Sequence, residues 1–210
     1  MPKGSEELVS SRKDEIISAC ASLYQTMSFR EITLRDIGEK TSFTRTSIYN
    51  YFQNKEEIFL ALLQREYEAW RADLDGILRS PAALSPEDFA GALARTLERR
   101  ECMLKLMSMN LYDMEDNSRL GSLVEFKGAY AAAMEAVTRC LERFFPAMGE
   151  REIREFLFAF FPFLFGVYPY TTATDKQIQA MELAGVAVPR HSIYEIVRAL
   201  VIKLLPAAPG

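Results

Sequence analysis

Apolar residues recur every three or four positions along most of this 210-residue chain, the period of helices buried on one face. In residues 6–27, Ile16, Cys20, Leu23, Tyr24 and Met27 share such a face and the charges lie opposite. Thr33-Leu34-Arg35-Asp36 has the form of a capping box and opens a short helix to about Lys40. Thr44 caps a second short helix, about 45–51, and Asn54-Lys55-Glu56-Glu57 opens a long one to about Arg79. Ser85-Pro86-Glu87-Asp88 combines a cap, a first-turn proline and first-turn acids. Helices of about 86–98, 101–111, 118–145 and 150–168 follow, separated by "YDMEDN" and "FPAMG". The pattern closes with helices at 175–184 and 192–205. It contains no convincing strand alternation or internal repeat. The prediction is an all-α fold, with a head at 1–55 and a larger helical body at 56–210.

One run raises the question of a membrane. Phe156 to Thr174, "FLFAFFPFLFGVYPYTTAT", is 19 residues without a charge, about the length that spans a bilayer. Pro162, Gly166 and Pro169 interrupt it and its end is polar, so it reads as a helix buried on all sides within an assembly. At 49% hydrophobic and 26% charged residues, the composition is that of a globular protein. The N-terminus lacks the apolar core of a secretory signal. Cys20, Cys102 and Cys140 lie far apart without metal or redox spacing and read as thiols in a reducing cytosol. Residues 1–55 hold eight Lys/Arg against seven Asp/Glu, which leaves −5 of the net −4 charge on the remainder. That asymmetry has the sign of a DNA-binding head, and it is small.

The stretch "FTRTSIYNYFQNKEEIF", 43–59, carries the candidate chemistry. Two short helices joined by a tight turn, after an amphipathic first helix, make a helix-turn-helix unit. Leu34, Ile37, Phe43, Ile48 and Phe52 take its buried positions, which places Arg45, Thr46, Ser47, Tyr49, Asn50 and Tyr51 on or near the outer face. Arginine pairs two-pronged with guanine and asparagine with adenine, while Ser, Thr and Tyr reach phosphates or thymine methyls. Lys55 sits where the helix dipole disfavours a cation. A phosphate bound at that helix start would give the lysine a purpose.

"TLRDIGEKTSFTRTSIYNYFQNKEEIF" closely resembles the DNA-binding segment of TetR-type transcriptional regulators, over roughly residues 10–60. The resemblance implies that Arg35, Arg45, Thr46, Tyr49 and Asn50 face base edges, and that Thr33, Ser47, Tyr51 and Lys55 hold phosphates. Three positions depart from the family pattern. Ser42 stands where the turn usually has glycine, which predicts a left-handed residue at a cost of about 1 kcal/mol. Thr46 often is glycine in relatives, and Gly38 replaces a usual alanine and weakens its helix slightly.

One head of this size contacts too few bases for genomic specificity, so a homodimer on a palindromic double-stranded operator is expected. Helices 150–168 and 192–205, apolar over more than one face, are the candidate interface, and the resemblance implies a four-helix bundle across the dimer. In the body, Met103, Met107, Asn110, Tyr112, Phe126, Tyr130, Met134, Phe160, Phe163 and Tyr168 are the candidate lining of an effector pocket, with Asn110, Tyr112 and Tyr130 as polar anchors. Met and aromatic side chains also build ordinary cores. The resemblance favours an apolar or aromatic effector whose binding relieves repression. A DNA-binding dimer without effector and a helical adaptor are the alternatives. His191 is the only histidine, and no nucleophile elbow, P-loop, dinucleotide or zinc motif is present. No enzyme, cofactor or metal is expected, and a cytoplasmic location is.

Overall fold

The computed structural model describes residues 3–42, 44–80, 83–188 and 191–206, and of residues 3–6, 45, 109 and 110 the backbone alone. Among them all regular structure is helical: α1 (Lys3–Tyr24), α2 (Leu34–Glu39), α3 (Arg45–Ile48), α4 (Lys55–Leu78), α5 (Pro86–Glu98), α6 (Glu101–Asp116), α7 (Leu120–Phe144), α8 (Glu150–Thr171), α9 (Asp175–Leu183) and α10 (Ile193–Leu204). The chain divides into two compact units, Met1–Glu66 with Asn110–Tyr130, and Tyr67–Met109 with Ala131–Gly210. α4, α6 and α7 each contribute residues to both.

In the first unit α1 packs on α2 and α2 on α3. Ile37, Ile48 and Phe52 are buried, as the pattern predicts, together with Ile16, Cys20, Phe29 and Ile32. Leu34 is half-buried, and Phe43 lies outside the described residues. Phe59 takes the edges of Tyr24 and Phe29 at 5.2 and 4.7 Å between centroids. Thr33 caps α2 in a reciprocal box with Asp36, and Thr44 caps α3 by accepting from the Ser47 N–H.

Three expectations change. Ser42 is not left-handed, since no described non-glycine residue has a positive φ. Instead α1 pins the turn: the Ser42 N–H donates to Glu15 Oε1 at 2.6 Å, and Arg12 Nη1 donates to Ser42 Oγ at 3.0 Å. The Ser42 bond also draws the Glu15 carboxyl below its ordinary pKa. α6 continues through "YDMED", read as a loop, because Met114 is buried and Glu115 pairs with Lys127 at 2.6 Å. It stops where the Asn117 and Ser118 side chains bond back to the Asp113 and Met114 carbonyls. α8 runs through Pro162 and Pro169. A proline inside a helix costs about 3 kcal/mol or more, and burial of Phe160, Phe161, Leu164 and Val167 on one side of α8 opposes that cost. Its other side is open within this chain, with Phe158 77% exposed.

In the second unit α10 packs on α5 and α8. Trp70 is fully buried, 6.5 and 6.0 Å from the rings of Phe160 and Phe161, and its indole N–H donates to Thr96 Oγ1 at 2.9 Å. Burial pushes the Cys140 thiol up to about 12, so it remains protonated. Gly185, at φ 68°, closes α9 in the left-handed conformation that glycine adopts freely. Among the described residues no single helix is long and apolar enough to cross a membrane; α8 with α9 meets the length and composition only as a pair bent by 82°.

Candidate nucleic-acid interface

α3 is one turn long. Too short to be stable alone, it is followed by further turns in which the Tyr51 and Phe52 N–H groups donate to the Ile48 carbonyl at 2.9 and 3.0 Å. Burial of Ile48 and Phe52 fixes which side of this coil is outward. On that side Thr46 and Asn50 are exposed and Tyr49 is 48% exposed. The backbone of Arg45 opens α3; its side chain is not described. Arg35 projects from α2 with its side chain 80% exposed, and its Nε donates to Glu39 Oε1 at 2.8 Å. Thr33, Arg35, Tyr49, Asn54 and Lys55 all border one open groove of about 550 Å³. Glu56 lies on its wall as well.

Three of the residues assigned to phosphates are already bonded within the protein. The Thr33 hydroxyl donates to Asp36 Oδ2 at 2.7 Å. Ser47 Oγ lies 3.0 Å from Thr44 Oγ1, inside the α3 cap. Lys55 Nζ donates to the Phe29 and Ile32 carbonyls at 2.8 and 3.2 Å and stands 4.5 Å above the Phe29 ring. Here is a structural reason for a lysine at a helix start: its ammonium is drawn to the carbonyls of the 28–32 turn. Two of its three donors are used there, which leaves one for an anion.

Two family descriptions match the chain: "Bacterial regulatory proteins, tetR family" over residues 16–62, and "Tetracyclin repressor-like, C-terminal domain" over residues 64–205. The protein belongs to the TetR family. Regulators of that family are DNA-binding proteins, not enzymes. Among curated relatives of this TetR-family protein are the regulator YfiR of Bacillus subtilis, 28% identical over 35% of this chain, and the repressor Rv1474c of Mycobacterium tuberculosis, 27% identical over 42%. The matches span 36% and 50% of the length of those relatives. Solved structures share the fold along nearly the whole chain: the fatty acid degradation regulator FadR of Bacillus halodurans (TM-score 0.61, 14% identity, covering 93% of this chain and 95% of that one) and the TetR-family regulator PfmR of Thermus thermophilus (0.61, 15%, 94% and 97%).

The candidate effector residues of this TetR-family chain fall into both units. In the second, Met103, Met107 and Phe160 are buried, Met107 accepting the Tyr67 hydroxyl at its sulfur (3.4 Å) and Phe160 packing on Phe156 at 5.4 Å. Met134, Phe163 and Tyr168 are half-buried. In the first, Phe126 is buried, Tyr130 is half-buried with its hydroxyl pKa raised by burial, and Tyr112 is 85% exposed. The Asn110 side chain is not described. His191 is exposed, 3.9 Å from Glu195.

Sequence reasoning missed the polar junction behind the recognition segment. The Glu57 side chain, in the first turn of α4, is fully buried, and Arg119 grips it two-pronged at 2.6 and 2.7 Å. Burial alone raises the Glu57 pKa; the Arg119 guanidinium and the backbone N–H groups of Gln53 and Arg119 outweigh it and draw the carboxyl down to about 2. "NKEE" signalled the cap but not a partner 62 residues away.

Proposed function

We propose that this regulator is a repressor that binds a palindromic double-stranded operator as a homodimer and is released by a small apolar or aromatic effector. The observation that carries the proposal is the exposure of Arg35, Thr46, Tyr49 and Asn50 on one helix-turn-helix, residue types that read base edges. In this reading Arg45 joins them, and Thr33, Ser47, Tyr51 and the remaining Lys55 donor seat the phosphates. Dimerisation through α8 and α10 is supported by the apolar outer side of α8, where Phe158, Pro162 and Tyr170 are exposed. An apolar or aromatic effector is supported by two fold relatives: a FadR of Thermus thermophilus solved in complex with lauroyl-CoA, and EbrR, a multidrug binding protein solved with imidazole. The regulator acts in the cytoplasm.

Burial of Met103, Met107 and Phe160 against neighbouring side chains favours a second reading, a DNA-binding dimer whose body takes no effector. Selection of random oligonucleotides with the purified chain, then sedimentation of the complex, tests the first part. An enriched inverted repeat bound by two copies is the expected result. Release of that DNA by lauroyl-CoA or an aromatic cation supports the effector; no release across an apolar panel favours the second reading.

A further inference from the structure

The recognition segment ends in bonds that none of its own helices supply. After α3 the chain runs from Tyr49 to Asn54 without regular helix before α4 begins. Its last backbone groups are held from elsewhere in the first unit: the Gln53 N–H donates to Glu57 Oε2 at 2.8 Å, and the Tyr51 carbonyl accepts from Arg119 Nη2 at 3.4 Å. Glu57 Oε1 takes the Arg119 Nε at 2.6 Å, the Arg119 N–H at 3.0 Å and the Ser122 hydroxyl at 3.5 Å. Asn54 adds a second tie. Its Oδ1 accepts the Glu57 N–H at 2.9 Å, while its Nδ2 donates to the Asn117 carbonyl at 2.7 Å.

We propose that Arg119 is a positioning residue for the recognition segment: through Glu57 and the Tyr51 carbonyl it fixes the path of residues 49–54, and with it the presentation of Tyr49 and Asn50. A one-turn helix has no persistence of its own, so its direction is set by what holds its two ends. Thr44 holds the first end; the Arg119–Glu57 junction holds the second. A guanidinium suits the task because its planar fork fixes both the distance and the angle of a carboxylate, whereas an ammonium fixes neither. Ser118 and Asn117 end α6 immediately before it, so any displacement of the α6–α7 junction reaches the segment through bonds rather than through packing.

The inference rests on the DNA-reading role of residues 45–50, and its test has one arm that needs no DNA. In the full-length Arg119→Met and Arg119→Lys variants, amide exchange is followed by residue. Both are expected to speed exchange at residues 49–53 at least tenfold and to leave α5 and α10 as in the wild type, lysine failing to rescue because it lacks the fork. Unchanged exchange at 49–53, or acceleration throughout the chain, overturns the proposal. The second arm measures affinity for the oligonucleotide selected by the wild-type chain at several salt concentrations. Arg119→Met should weaken it about tenfold with the salt slope unchanged. A slope reduced by about one unit means that Arg119 touches a phosphate itself, and overturns the positioning role. If the wild type selects no DNA, the function proposed above fails, and exchange alone still decides whether Arg119 restrains the segment.

Discussion

The two compact units are held together in different ways. In the first, directional polar bonds join distant elements: Glu57 to Arg119, Asn54 to Asn117, Lys55 to the 28–32 turn, Glu15 to Ser42, and Arg65 Nη1 to Ser18 Oγ at 2.8 Å. In the second, the interior is aromatic. Trp70 packs with Phe160 and Phe161, and Phe89 with Phe144 and Phe145 at 5.9 and 5.3 Å. Polar ties exist there too, such as Arg100 Nη2 to Asp73 at 2.7 Å, yet its centre is apolar. The difference follows from element size. Helices of six and four residues do not persist alone, so Ile37 and Ile48 set their inner side while hydrogen bonds with defined angles hold the chain around them. Long helices around a broad apolar core are positioned by packing, which tolerates volume-conserving exchange.

Substitutions sharpen or break this contrast. The largest effect is expected from Trp70→Ala, about 4 kcal/mol of unfolding free energy in urea, because it removes a fully buried ring and the indole bond to Thr96. A cost under about 1 kcal/mol would mean that the aromatic centre does not hold the second unit. Glu57→Gln should cost about 2 kcal/mol, the loss of a charged, multiply bonded buried acceptor. It should also change the acid limb. Glu57 titrates at about 2 instead of the ordinary 4.5, so its contribution is complete above pH 4.5 and declines as pH falls from there toward 2. The variant's stability profile should lack that decline. Lys55→Met should cost about 1.5 kcal/mol by freeing two carbonyls of the 28–32 turn, read as a lower thermal midpoint; an unchanged midpoint would assign the lysine to phosphate binding alone. The smallest effect is Glu39→Gln, which releases Arg35 from an exposed pair and should tighten DNA binding about twofold.

Legibility followed the same division. Helical period and caps gave nearly every element, including Ser85 before α5 and Thr33 before α2, since both signals lie within a few residues of sequence. Where the local signal misled, a distant contact was the cause. "YDMED" looks like a loop until Met114 is seen buried, and Ser42 looks strained until Glu15 is seen to pin its backbone. The outward set Thr46, Tyr49 and Asn50 was readable because Ile48 and Phe52 define the inner side. The Arg119–Glu57 junction was not readable, because no periodicity links an arginine at the start of α7 to a glutamate 62 residues earlier. The body's aromatic residues were recognisable as apolar, while their division between core and cavity depends on packing that one sequence does not encode locally.

The most direct test of the central claim, that residues 44–54 present a base-reading face, is the sequence preference of the wild-type chain and of Asn50→Ala over the same pool of selected oligonucleotides. The account predicts a two-fold symmetric site for the wild type and, for Asn50→Ala, relaxed preference at one base pair in each half-site with the thermal midpoint unchanged. A variant whose affinity falls equally for every sequence, or a wild-type chain that enriches none, would contradict it.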